Sequence, residues 1–381
     1  MYDEQMVRVL VTAPLGVGGV TSMMINIQSH LDRNKINFDY LVTHDRKEPQ
    51  EDTVLAMGSR KIVASVDKSG ALLVRTLLRP FAISKVCKQN NIKILHCNAD
   101  CAIDVLNILG ARLGGVKYVT IHSHNAGIQN EGIGLRMADF VLKPLIPLCC
   151  DNYGCSDLAA RALLPKSLIK KKKYSVLPNG IDLKKFDYSE QNRQEIRNEL
   201  NLEGKFVVGH AGRFVTVKNH SFLLDVFSAI HEKNKDTVLL LFGVGELMDS
   251  IKEKAETLGI KGSVIFYGST NEMYKMWQAI DVFIMPSFSE GFPVTGIEAQ
   301  ASGLPCIFSD TITKEVGLTD KTEFLSLNES PKTWAEHALK YMGCERKSEV
   351  DKLRKVGYDI QQTADTLSKL YLEVYEIKIR K

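Results

Sequence analysis

Short apolar runs alternate with stretches of helical periodicity along most of this chain. Val7 to Thr12 reads as a strand, followed by a glycine loop with Gly16, Gly18 and Gly19 and a helical run from Ser22 to Gln28. Further strand-like runs cover 38–42, 62–64, 94–96 and 118–121, with helical patterns such as Ala82 to Gln89 between them. The alternation starts again past Asn179-Gly180-Ile181-Asp182: strands at 206–209, 237–242, 264–267 and 281–285, and a helix from Phe222 to Glu232. Strands separated by helices predict parallel sheets covered on both faces. The fold class is therefore α/β, with two doubly wound Rossmann-like domains, 1–178 and 179–355. Residues from about 352 onward carry Leu367, Leu370, Tyr371, Val374 and Tyr375 at helical spacing, which predicts a C-terminal packing helix, expected over 356–381 and to cross back onto the first domain.

The strand ends of the second half are rich in small residues. Gly243 and Gly245 follow one strand, Gly268 the next, and the third runs into SEGFPVTGIEAQASGLP, residues 289–305. This last stretch is loop, then helix, with Pro293 suited to the first helical turn and the helix closing near Gly303. Glu290 sits just before the helix and Glu298 inside it. Each has an ordinary explanation, Glu290 as a carboxylate at a helix start and Glu298 as a solvated residue. Strand, tight loop and helix is also the arrangement that binds ligands at the carboxyl edge of a parallel sheet, where a helix start offers N–H groups to phosphate. The second reading is a phosphate site with two carboxylates that hold hydroxyl groups, in a cleft between the domains.

Composition limits the alternatives. The chain has 381 residues, 44% hydrophobic and 25% charged, as in ordinary globular proteins. No apolar run approaches the ~18–20 residues that cross a bilayer, and the acidic start does not read as a signal peptide. The 8 cysteines form no paired knuckles, so buried free thiols rather than a metal site are expected. The net charge of +4 is uneven: up to Pro178 there are 23 basic and 15 acidic residues, and 26 and 30 beyond it. Lys166 and Lys170–Lys173 concentrate the excess. They read as a solvated loop or as a contact for anionic lipid headgroups. No nucleic-acid motif accompanies them.

Five motifs in order carry a resemblance that covers essentially the whole chain and is densest over 176–316. They are Val176-Leu-Pro-Asn-Gly-Ile-Asp182, Gly212-Arg-Phe with Lys218-Asn219, Phe242-Gly-Val-Gly-Glu246, the E-x7-E segment Glu290–Glu298, and Ala299-Gln-Ala-Ser-Gly-Leu-Pro305. The chain resembles a retaining GT-B glycosyltransferase of family 4. With its Thr120-Ile-His-Ser-His-Asn125 segment, it is similar to the capsule and exopolysaccharide members of glycosyltransferase group 1. One departure is Glu246-Leu247, where the family has a small residue or proline after the glutamate.

The resemblance implies roles. Glu298 binds the ribose hydroxyls of a nucleotide and Glu290 the sugar hydroxyls of the donor. Arg213 and Lys218 hold the diphosphate, which Gly18 and Gly19 approach. His122 lies beside the transferred sugar. Gly212, Gly243, Gly268, Gly291, Phe292, Pro293, Val294 and Thr295 complete the donor site, and His124, Asn125 and Asn98 are acceptor-side candidates. No metal and no cofactor is expected beyond the donor co-substrate, a nucleotide sugar with UDP as the nucleotide. The implied acceptor is a lipid-linked saccharide, handled by a cytoplasmic enzyme peripheral to the cell membrane and its anionic surface. The alternatives are a catalytically silent sugar-nucleotide-binding subunit, or an epimerase or phosphorylase on the same scaffold.

Overall fold

The computed structural model describes residues 6–16, 18–66, 72–124 and 133–380, with backbone only at 72–73 and 133–136. It divides into two compact units, Met1–Gly180 with Gly357–Lys381, and Ile181–Val356.

The strands of unit 1 are β1 Val7–Thr12, β2 Ile36–Val42, β3 Lys61–Val63, β4 Ile94–Ala99, β5 Tyr118–Ser123, β6 Asp151–Gly154 and β7 Ser175–Val176. They form one sheet in the order β3-β2-β1-β4-β5-β6-β7, with every pairing parallel. Unit 2 has β8 Phe206–Ala211, β9 Thr237–Phe242, β10 Val264–Gly268, β11 Val282–Met285, β12 Cys306–Ser309 and β13 Thr322–Leu325, also parallel, in the order β10-β9-β8-β11-β12-β13. The helices that matter below are α1 Gly19–Ser29, α2 Leu72–Gln89, α3 Val105–Leu113, α4 Ile133–Leu142, α5 His220–Lys233, α6 Met273–Ala279, α7 Val294–Ala301 and α8 Ile360–Val374.

Strands β2, β4, β5 and β8 are buried along their whole length, as expected for parallel strands covered on both faces. Side chains alternate faces along a strand. In β1, Val7, Val9 and Val11 pack with α1 and α8, while Leu10 packs on the opposite side with α2, α3 and the segment around Ile146. Full burial of each such aliphatic side chain is worth about 1.5–3 kcal/mol. Asp39, in the middle of β2, has a fully buried side chain held by Arg8 and Arg60, each at 2.7 Å. Past a break at Gly357 (φ +88), the C-terminal stretch runs as α8 and a π-helical turn, Tyr375–Ile379, and packs into the unit 1 core through Leu367, Tyr371 and Val374, with Tyr375 and Ile379 against it. Strands β6, β7, β12 and β13 have no clear period-2 alternation in the sequence. Register with their neighbours, not local pattern, makes them strands.

Candidate functional site

The strand order of unit 2 reverses between β8 and β11, so the loops leaving these neighbouring strands diverge and leave a crevice at the carboxyl edge. Gly212, Arg213 and a short 3-10 turn, Thr216–Lys218, follow β8. Asn219, in the left-handed region at φ 55, turns the chain into α5. The segment 286–293 follows β11. The Phe288 N–H donates to the Val217 carbonyl at 2.8 Å, and the Asn219 side chain donates to the Pro286 carbonyl at 3.1 Å. Across this seam the Lys218 Nζ donates to the Glu290 Oε1 at 2.7 Å, with side chains 18% and 12% exposed. Gly212 makes room for that lysine: a Cβ there would lie 3.1 Å from Lys218 Cδ. The Arg213 side chain is exposed and has no partner among the described residues.

The loops after β9 and β10 are joined to the one after β8. The Gly212 N–H donates to the Phe242 carbonyl at 3.0 Å, Phe214 N–H to Val244 at 3.1 Å, and Gly243 N–H to Gly268 at 2.8 Å. Gly243 has φ +127, and a Cβ on it would sit 2.1 Å from the Gly212 carbonyl oxygen. Loop packing by itself therefore requires glycine at this position. Gly268 is different: its φ is +85 and a Cβ would meet nothing within 4 Å.

Pro293 caps α7, so the helix begins one residue later than its sequence suggests, at Val294. Phe292 and Pro293 are buried beneath this turn, whereas Gly291, Val294 and Thr295 are partly exposed. As at any helix start, the N–H groups of Val294 and Thr295 have no acceptor within the helix. Glu298 lies about one turn further along and is half-buried. Its Oε2 accepts from Trp277 Nε1 on α6 at 3.2 Å. Burial raises this carboxyl from 4.5 to about 7, although the Trp277 bond and the charge of Lys185 both pull it down. Lys185 also lies over the Tyr274 ring, 4.5 Å from its centroid. The crevice thus combines two cations, a helix start and two carboxylates, a set that can hold a diphosphate and hydroxyl groups together.

In unit 1, His96 on β4, His122 on β5 and His124 just beyond it form a buried cluster. His96 and His122 ring centroids are 5.4 Å apart, and those of His122 and His124 are 4.1 Å apart. The sequence places His122 at an open strand end. The structure has it one residue inside β5 and fully covered, with Nε2 3.2 Å from the Leu177 carbonyl. His124 occupies the strand end, with Nε2 2.7 Å from the Asn98 Oδ1. His96 Nε2, Asn98 Nδ2 and the Nδ1 atoms of His122 and His124 have no hydrogen-bond partner among the described residues. Burial lowers all three imidazoles, His96 to about 4 and His124 to about 3, so each is neutral at pH 7. Asn125 lies outside the described residues.

Unit 1 has its own switch point, between β1 and β4. A cavity of about 170 Å³ opens there, lined among others by Thr12, Pro14, His44, Arg79, Asn98 and Asp100. Gly18 and Gly19 begin α1, and a Cβ on either would meet nothing within 4 Å.

Two family descriptions match the chain: Glycosyltransferase Family 4 over residues 17–185 and Glycosyl transferases group 1 over 192–359. A Bacillus subtilis (strain 168) chain named as a glycosyltransferase, EpsF, is 34% identical over 98% of this chain and 97% of its own length. The chain belongs to glycosyltransferase family 4. A second relative of this family 4 glycosyltransferase is the Escherichia coli UDP-Gal:alpha-D-GlcNAc-diphosphoundecaprenol alpha-1,3-galactosyltransferase, 30% identical over 62% of this chain and 63% of its own. The fold is shared with Anabaena HepE, solved with UDP-glucose, at a TM-score of 0.71 and 14% identity, over 97% of this chain and 99% of that one. Two parallel-sheet Rossmann-like units are the GT-B architecture.

The structure of this glycosyltransferase adds residues that the motifs did not single out. Trp277 and Lys185 face Glu298 from outside the E-x7-E segment, 21 and 113 positions away in sequence. In unit 1, His44, Arg79 and Asp100 line the cavity. Arg79 follows no strand, so only its place in the fold reveals it; its guanidinium lies 3.4 Å from Asp104.

Proposed function

We propose that this glycosyltransferase moves a hexose from a UDP donor to a lipid-linked saccharide, with retention at the anomeric carbon, during assembly of a cell-surface polysaccharide. One observation carries the reading: Lys218 and Glu290 meet at 2.7 Å at the switch point of unit 2. A cation suited to a diphosphate stands directly beside a carboxylate suited to sugar hydroxyls, with the start of α7 and Glu298 in the same segment. The UDP and lipid-linked assignments draw support from the activity for which the Escherichia coli relative is named. A lipid-linked acceptor brings the reaction to a membrane surface.

In this reading the bond from the anomeric carbon to the diphosphate oxygen breaks, and the acceptor hydroxyl forms its bond on the same face. Its proton passes to the departing diphosphate oxygen, and UDP leaves. Lys218 and Arg213 hold the charge that develops on the diphosphate. Glu298 holds the ribose and Glu290 the sugar. The neutral His122 and His124 offer hydrogen bonds rather than charge. No divalent ion is needed for the leaving group, so turnover is expected to survive excess EDTA. Complete loss that Mg²⁺ or Mn²⁺ reverses would refute this part of the mechanism.

A further inference from the structure

Four buried side-chain atoms without a hydrogen-bond partner among the described residues belong to residues that line the cavity of about 170 Å³ in unit 1. They are His44 Nδ1, Arg79 Nε, Asn98 Nδ2 and Asn107 Oδ1. They come from separate parts of the chain: the loop after β2, helix α2, strand β4 and helix α3. Asn98 and Asn107 are 6% and 2% exposed. Buried polar atoms are almost always paired, so four orphans around one cavity mark a place for a polar occupant. Water fills such a space in the free protein, and a ligand with matching groups displaces it.

The bonds already made fix what each atom offers. His44 Nε2 lies 3.2 Å from a Glu48 carboxylate oxygen, which keeps the proton on that nitrogen, so Nδ1 of the neutral ring is an acceptor. Asn107 Nδ2 donates to Cys97 Sγ at 3.9 Å, and its Oδ1 is left to accept. Asn98 Oδ1 is bonded to His124 Nε2 at 2.7 Å, and its Nδ2 is left to donate. Arg79 Nη2 donates to Asp104 at 3.4 Å, and its Nε–H is left to donate. The lining thus offers two donors and two acceptors. It also has an apolar part, with Ala13, Leu15, Leu41 and Val42 all buried.

This set selects among ligand groups. The charged residues of the lining are Arg79, Asp100 and Asp104, one cation against two carboxylates, so no positive charge is spare for a phosphate or a carboxylate. Such an anion also presents acceptors only, which leaves His44 Nδ1 and Asn107 Oδ1 unmatched. A hydroxyl group matches the polar atoms but leaves the apolar part against water. One acetamido group supplies a carbonyl for the donors, an N–H for the acceptors and a methyl for the apolar part. The cavity is smaller than the ~300–1,000 Å³ that encloses a whole ligand, so it suits a substituent of a larger saccharide.

We propose that this cavity receives the acetamido group of the acceptor's terminal sugar, which makes that sugar an uncharged N-acetylated hexosamine. The inference rests on the saccharide acceptor proposed above and names its sugar class.

The test is saturation-transfer NMR and titration of the full chain, in the presence of UDP, with methyl α-glycosides. The probes are N-acetylglucosamine, N-acetylgalactosamine, glucose, galactose, glucosamine and glucuronic acid. The two acetamido sugars should bind about tenfold more tightly than glucose and galactose, the range of one or two hydrogen bonds, with the strongest transfer to the acetamido methyl. Asn107→Leu should cut this preference at least threefold and leave glucose binding unchanged, an outcome that a general loosening of the fold does not give. UDP affinity by calorimetry, unchanged in the variant, shows an intact fold. Should Asn107→Leu not fold, His44→Phe, at a half-buried position, removes the other acceptor and carries the same expectation. Equal binding of acetamido and hydroxyl sugars, a preference for the amine or the acid, no detectable binding of either acetamido sugar, or a variant that keeps the full preference would each overturn the proposal. Failure of the transferase reading looks different: the acetamido preference persists, but no nucleotide sugar is cleaved with any of these sugars as acceptor.

Discussion

Replacing Glu298 by glutamine should stabilise the free protein at pH 8 while weakening its hold on UDP. The carboxyl is raised from 4.5 to about 7 because burial disfavours its charged form. A raised group gives its full stability below its unfolded value and loses it as pH rises through the folded one. The wild type therefore loses stability between about pH 4.5 and 7, whereas glutamine stays neutral throughout. A shift of this size corresponds to a ceiling of about 3 kcal/mol, and about 1–2 kcal/mol remains after allowance for a half-buried group. The Trp277 N–H keeps an acceptor in the variant, so no new orphan is created. UDP binding should move the other way, with a loss of about tenfold, because a charge-assisted bond to the ribose becomes a neutral one. Thermal melts from pH 5 to 8.5, with and without UDP, read both effects. A more stable variant with unchanged UDP affinity would remove Glu298 from the nucleotide site. Equal pH profiles for the two proteins would show that its carboxylate is not desolvated.

Lys218→Gln and Glu290→Gln should separate binding from turnover. In the proposed mechanism Lys218 supplies charge to the diphosphate, so its loss should weaken UDP by about 10–100-fold, the range of a charged hydrogen bond. Glu290 holds that lysine at 2.7 Å in the free protein, and a diphosphate must compete for it. Glu290→Gln should therefore bind UDP as well as the wild type or several-fold more tightly. Its turnover should fall about 100-fold, because contacts to the sugar are lost where the transition state needs them. Calorimetry with UDP beside kinetics on the full donor decides the matter. Matching losses of UDP affinity in both variants would make the pair a structural ion pair.

Much of the architecture can be read in the sequence because many of its strands are buried along their length and several lead into glycine-containing loops. Val264–Tyr267 and the run from Val238 to Phe242 declare themselves by unbroken apolar character, and Val7–Thr12 does so despite Arg8. Asp151–Gly154 does not, since a strand of one aspartate, one asparagine, one tyrosine and one glycine has no local signal. The E-x7-E segment marks the candidate site because its spacing is local. The Lys218–Glu290 pair spans 72 positions and Trp277–Glu298 spans 21, so their meeting depends on strand order. At Gly243 the clash that requires glycine comes from another loop, which no local pattern announces. His122 and His124 are both buried, and their partners, the Leu177 carbonyl and Asn98, lie 55 and 26 positions away in sequence.

The most direct test of the account follows the anomeric carbon itself. Proton NMR of the enzyme with a panel of UDP-, GDP- and ADP-sugars and a lipid-linked saccharide acceptor reads both the bond broken and the configuration formed. The expected result is cleavage of one UDP-hexose, release of UDP in step with product, and a new glycosidic linkage of the same anomeric configuration as the donor. Inversion at that carbon, an epimerised donor with its diphosphate intact, or no cleavage of any donor would contradict it.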